Sequence, residues 1–172
     1  MCQAPLVLAL GAVLVFTGCA AAGQRIENGV YHSTKGYRLT LPGADWSVAT
    51  ESKADLELRH QDGMAAMLAN AECDDRARSR SAGLLLDQLL IGLHDRATIE
   101  RNEISVNGRV AMHRVLDGRV AADGSPTRVE AYVLKEDGCV YDFAYAAPPA
   151  AFDAWRADFR RFVESFAKER GD

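Results

Sequence analysis

The sequence predicts an α+β fold, an antiparallel β-sheet with helices packed on it. Three observations lead there. Several short segments alternate apolar and polar residues with period two. Asn-Gly or Asp-Gly pairs lie between those segments. Two further stretches carry apolar residues at helical spacing.

The strands come first. Tyr37, Leu39 and Leu41 alternate with Arg38 and Thr40 until Pro42-Gly43 breaks the run. Trp46 and Val48 share one side of the next segment, and Leu56 and Leu58 alternate with Glu57 and Arg59. Asp62-Gly63 reads as a hairpin turn into an alanine-rich strand, Met64–Cys73. Asn107-Gly108, Asp117-Gly118, Asp123-Gly124 and Asp137-Gly138 supply the positive φ of tight turns. They bound the expected strands Thr98–Val106, Arg109–Leu116, Thr127–Lys135 and Cys139–Ala146.

Two helices interrupt the meander. Ser81 is an N-cap for Leu84–His94, where seven Leu and Ile residues leave only a narrow polar stripe at Asp87, Gln88 and Gly92. Such a helix is expected to be mostly buried. The second runs from about Ala150 to Lys168, with Phe152, Trp155, Phe159, Phe162, Val163 and Phe166 on one face. Glu164 and Lys168 fall at i, i+4, and Arg160 and Arg161 read as solvated surface. Each fully buried side chain of the apolar face is worth roughly 1.5–3 kcal/mol, so docking this helix should be a main source of stability.

The N-terminus reads as an address. Leu6 to Phe16 is apolar throughout apart from Gly11. It is too short to span a bilayer but suits the hydrophobic region of a signal peptide. It ends in Phe16-Thr17-Gly18-Cys19 and turns polar at Gln24-Arg25. This resembles the lipobox of bacterial lipoproteins, with Phe16 in place of the usual leucine. The resemblance implies removal of residues 1–18 and acylation of Cys19. Residues 19–30 then form a tether and 31–172 one domain, held to a membrane by several acyl chains, since one chain binds only reversibly. Met1–Pro5 lacks the usual Lys or Arg: either the α-amine suffices or the start lies upstream. Ala20, where an Asp would resemble an inner-membrane retention signal, favours the outer membrane.

Of four cysteines, Cys2 leaves with the signal and Cys19 takes lipid. Cys73 and Cys139 remain, and in an oxidising compartment they read as a disulfide; the alternative is a thiol nucleophile. A net charge of −4 lacks the electrostatic footprint of a nucleic-acid binder. The chain has no Gly-x-Ser-x-Gly, no Cys-x-x-Cys and no Gly-rich phosphate loop, so no catalytic or cofactor motif is found. His32, His60, His94 and His113 lack metal-ligand spacing and read as solvated or locally bonded. The densest charge run, Asp74–Arg80, reads as a solvated loop. Its functional reading is that Arg76, Arg78 and Arg80 bind phosphates or anionic headgroups.

The order of strands, helix, strands and long C-terminal helix opens with Tyr37–Pro42 and Trp46. It closes with Gly138–Phe143 and then Phe152, Phe159 and Val163–Phe166. This resembles the PsbP-like α/β/α sandwich over roughly Tyr31 to Ala167. That group includes photosystem extrinsic proteins, a Ran-binding nuclear factor and many bacterial lipoproteins. The resemblance implies a non-catalytic binding or assembly factor, and no functional residue carries over. The expected function is therefore a lipid-anchored envelope module that binds another envelope protein. A thiol or hydrolytic enzyme, or a carrier of a small apolar ligand between helix and sheet, are the alternatives.

Overall fold

The computed structural model describes residues 25–169. Residues 1–18 and Cys19 lie outside them, so the signal and lipidation expectations fall on undescribed residues.

Among the described residues, eleven strands form two antiparallel sheets. The small sheet has the order β1-β2-β3-β11, from β1 (Arg25–Glu27), β2 (Val30–Ser33), β3 (Tyr37–Thr40) and β11 (Ala167–Lys168). The large sheet has the order β4-β5-β6-β10-β9-β8-β7. Its strands are β4 (Trp46–Val48), β5 (Leu56–His60), β6 (Ala66–Glu72), β7 (Leu93–Val106), β8 (Arg109–Val120), β9 (Pro126–Glu136) and β10 (Cys139–Ala147). The helices are α1 (Asp75–Ser79), α2 (Ala82–Leu89) and α3 (Phe152–Glu164).

Alternation along the strands divides the large sheet into two apolar faces, because successive side chains point to opposite sides. One face carries Leu56, Leu58, Met67, Tyr141, Phe143 and Tyr145 and is covered by Phe152, Phe159, Phe162 and Phe166, with Tyr31, Tyr37 and Leu39 of the small sheet beside them. The other carries Val129, Ala131, Val133, Leu116 and Val140 beneath Leu85 and Leu86 of α2 and Leu90 just past it. The layers are thus helix, sheet, then helix with a small sheet. Asp55 joins the last two: Tyr37 Oη donates to Oδ2 at 3.0 Å, the Ala71 amide donates to the same oxygen at 2.9 Å, and Lys35 pairs with Oδ1 at 2.7 Å.

Hairpin turns fall where the Gly pairs predict them. Asn107-Gly108 and Asp137-Gly138 both adopt positive φ, joining β7 to β8 and β9 to β10. The exception is Asp117-Gly118. It lies inside β8, with Asp117 opposite Arg128 and Gly118 opposite Thr127. Gly118 serves close approach instead: a Cβ there would sit 3.1 Å from the His94 carbonyl oxygen, beside the irregular pairing between His94 and Ala97.

Four further expectations need correction. The tether is strand at Arg25–Glu27, because Asn28-Gly29 turns it back onto β2. The first long helix stops at Leu89, with Leu90 as its C-cap, and Leu93 already pairs with Val120 as strand; a short apolar run fits helix and strand alike. With only two turns, that helix is half-covered: Leu85 and Leu86 are buried, but Leu84 is 48 % exposed and Ile91, just past it, 75 %. The Asp74–Arg80 run contains α1, whose terminal carbonyls at Arg78 and the following Arg80 carbonyl accept hydrogen bonds from Lys135 Nζ at 2.6 and 2.8 Å. Finally, α3 ends at Glu164. Phe166 is fully buried beyond it, and Lys168 joins β3 as strand and pairs with Asp137 at 2.8 Å, not with Glu164.

Candidate functional site

Glu130 stands in β9 between Val129 and Ala131, facing α3, and is 0 % exposed. An ionised carboxylate in that place must be paired. His113 Nε2 donates to Oε1 at 2.9 Å, and Tyr132 Oη donates to it at 2.9 Å. Two successive turns of α3 supply cations. Arg156 Nε donates to Oε2 at 2.7 Å, and an Arg160 terminal nitrogen reaches Oε1 at 3.2 Å. The shell continues outward: Asn102 Oδ1 lies 2.8 Å from His113 Nδ1, and Arg156 also reaches Glu100 at 3.3 Å and covers the Phe152 ring.

Burial alone would raise the Glu130 pKa. The hydrogen bonds from His113, Arg156 and Tyr132, with the Arg156 charge, overcome it and hold the carboxyl down at about 2. Burial and the neighbouring carboxylate push the Tyr132 phenol upward. The carboxylate therefore stays ionised near neutrality, with its acceptor positions engaged. It clamps α3 to the sheet and is a poor proton acceptor.

A cleft of about 240 Å³ opens beside this clamp, between α3 and the inner face of β7. Arg160, Val163 and Glu164 form one wall, and Glu100, Asn102, Ile104 and Val106 the other, with His113 and Tyr132 at the base. The lining is mixed and includes both signs of charge. It suits a polar or peptidic occupant better than a small apolar one.

Cys73, just after β6, and Cys139, at the start of β10, form a disulfide with Cα atoms 4.1 Å apart. The register places them directly opposite, one pair beyond Glu72 and Val140. The spacing is that of a close, non-hydrogen-bonded antiparallel pair. Arg78 and Arg80 are exposed and engage different groups: Arg78 Nε donates to the Gly138 carbonyl at 3.3 Å, and Arg80 to Gln88 Oε1 at 3.0 Å. The side chain of Arg76 lies outside the described ones. His32 pairs with Glu169, and His60 with Asp62 at 2.9 Å. His94 is exposed. Among the described residues no group of three His, Cys, Asp or Glu side chains could hold a metal, and no helix is long and apolar enough to cross a membrane.

Sequence reasoning did not find the Glu130 cluster, because its members lie far apart in the chain. A signal was present: Val129–Leu134 is apolar on both faces except for this one carboxylate. Arg160 belongs to the cluster and is not plain solvated surface, as its spacing suggested.

The opposite sheet face holds a half-buried acid whose Oδ1 is buried. Among the described residues Asp142 Oδ1 has no hydrogen-bond partner, and burial, with Glu72 nearby, pushes the pKa up to about 7. The unfolded chain loses that proton near pH 4, whereas the folded chain keeps it to about pH 7. Stability from this group is therefore full below about pH 4 and lost as the pH rises through 7. Asp142→Asn is expected to remove that loss and to gain on the order of 2–4 kcal/mol at pH 8 relative to pH 5. Urea unfolding at both pH values checks it; equal slopes in the variant and the parent would assign the effect elsewhere.

No protein-family model matches the chain, and no curated protein matches it in sequence. Solved structures do. Cyanobacterial PsbP (CyanoP) from Synechocystis sp. is similar at 14% identity and a TM-score of 0.58, over 92% of this chain and 99% of that one. LpqN of Mycobacterium tuberculosis, described as involved in cell envelope biogenesis, is similar at 14% identity and 0.60, over 81% and 88%. The Ran-binding protein Mog1p of Saccharomyces cerevisiae is similar at 8% identity and 0.51, over 77% and 90%. At such identities the likeness concerns architecture alone: the chain has the PsbP-like fold.

Proposed function

We propose that the chain is a non-catalytic, lipid-anchored protein of the cell envelope that binds another envelope component at the cleft between α3 and β7. The observation that carries this reading is the cluster beside the cleft. Its one fully buried carboxylate is held at about 2 and is engaged by His113, Tyr132, Arg156 and Arg160. A group so held gives shape and polarity to a surface, and it neither gives nor takes protons near neutral pH. The disulfide speaks against a thiol enzyme, since Cys73 and Cys139 are joined. The lipobox resemblance at Cys19 supports anchoring, Ala20 supports the outer membrane, and the structural likeness to an envelope-biogenesis protein supports the compartment.

Replacing Cys19 by Ser is expected to abolish labelling by a fatty-acid analogue and to release the protein from membranes. A parent protein that takes up no label would overturn the anchor. Photocrosslinking from position 164, on the cleft wall, is expected to trap an envelope component; trapping only from the far sheet face would move the binding site.

A further inference from the structure

The two edges of the large sheet are treated differently. One ends in β4, three residues long. The other ends in β7, 14 residues long and exposed along most of its length. Long open edges invite pairing, and short strands are a usual protection. Irregular pairing between His94 and Ala97 and between Thr98 and Glu100 disrupts the first half of β7. From Glu100 to Val106 the pairing with β8 is regular, and no described backbone pairs with the outer side of that stretch.

The sequence of this regularly paired stretch is self-complementary about one residue. Asn102 is flanked by Arg101 and Glu103, which share the face turned away from α3. Neither makes an ion pair with a described residue, and both are exposed. In an antiparallel pair of two identical strands, the two-fold axis passes through a residue that faces its own copy. An axis at Asn102 sets Arg101 of each strand opposite Glu103 of the other, twice. Shifting the axis by one residue sets Arg101 against Arg101 or Glu103 against Glu103, and directly opposed like charges destabilise.

We infer that β7 is a homodimer interface: two copies of this chain pair antiparallel through Glu100–Val106, centred on Asn102, to form one continuous sheet. The pairing also brings the two clefts together. Glu100, Asn102 and Ile104 line each of them, and in this register Glu100 faces Ile104 of the second copy. A two-fold axis along the sheet normal keeps both Arg25 residues, in the small sheet on the α3 side, on the same side of the dimer. Two chains anchored in one bilayer require that arrangement. The inference rests on the binding-module reading in taking a second copy as partner at this cleft.

The test is sedimentation equilibrium of the full-length protein in detergent micelles, with charge-swap variants. The parent is expected to be a dimer. Arg101→Glu and Glu103→Arg should each weaken it by about tenfold or more, since two attractive pairs become repulsive, and the double variant should restore it. Asn102→Cys, facing itself at a spacing of about 4.5–5.5 Å, should form an intermolecular disulfide, whereas Cys at exposed Val110 should not. A monomeric parent overturns the inference, as does a dimer indifferent to both single variants or not restored by the double. A monomer that still fractionates with membranes and crosslinks at Asn102 to a different envelope protein overturns self-pairing while sparing the binding-module reading. A stable dimer absent from the membrane fraction does the reverse.

Discussion

Glu130→Ala is expected to destabilise the domain by about 3–5 kcal/mol, because it leaves Arg156 and Arg160 facing a buried vacancy and strips His113 and Tyr132 of their shared acceptor. The pH dependence of the loss has a defined sign. The folded-state carboxyl titrates at about 2 and the unfolded one near 4.5. The stabilisation is full above about pH 4.5 and is lost as the pH falls through 2. Parent and variant should therefore differ most at pH 7 and converge toward pH 2, as urea denaturation at both ends of the range would measure. Arg160→Ala should cost more than the ~0.5 kcal/mol typical of solvated surface, because it removes one of two cations from the same carboxylate. A Glu130→Ala variant as stable as its parent at pH 7 would show that the cluster is not a clamp.

Phe159→Ala should cost a comparable 3–5 kcal/mol or so, for a different reason. Phe159 is 0 % exposed at the middle of α3 and packs against Tyr132 and Tyr145 with ring centroids 5.7 and 5.4 Å apart. Removing the ring forfeits apolar burial and leaves a cavity that two large neighbouring rings cannot readily fill. The effect should be nearly independent of pH, which separates it from that of Glu130. Thermal unfolding is the measurement, and a variant that melts with its parent would mean that α3 can leave the sheet at little cost.

The periodicity of the chain carried the α+β class, most of the strands and the face of α3, because each of these depends on neighbours within a few residues. The Asn-Gly and Asp-Gly pairs located turns wherever positive φ was the reason for the glycine. They misled at Asp117-Gly118, where the glycine serves a backbone approach from His94 that no local pattern reveals. The leucine run Leu84–Leu93 defeated the reading of helix length. Leucine favours helix, and where the helix gives way to strand is decided by the pairing of Leu93 with Val120, which no local pattern shows. The candidate site was the least legible part. Glu130, His113, Arg156 and Asn102 come from β9, β8, α3 and β7, and only strand register and the docking of α3 bring them together. The disulfide was legible for the opposite reason: with Cys2 and Cys19 assigned to the signal and the lipid, Cys73 and Cys139 read as an even pair, and the structure joins them.

That disulfide also marks a joint in the folding of the large sheet. On one side of it β4, β5 and β6 are successive hairpin neighbours, and on the other β7, β8, β9 and β10 are as well. Each half can form early from contacts close in sequence. The seam between β6 and β10 cannot, since it joins segments 66 residues apart and bears the loop-closure entropy of everything between them. Cys73 and Cys139 sit at one end of that seam. While the thiols are reduced, the two halves are joined across the large sheet by the β6–β10 pairing, from Ala66 opposite Ala146 to Glu72 opposite Val140. Once they are joined, the sequence-distant pairing within the large sheet has a covalent neighbour, and the seam is pinned at its Cys73–Cys139 end.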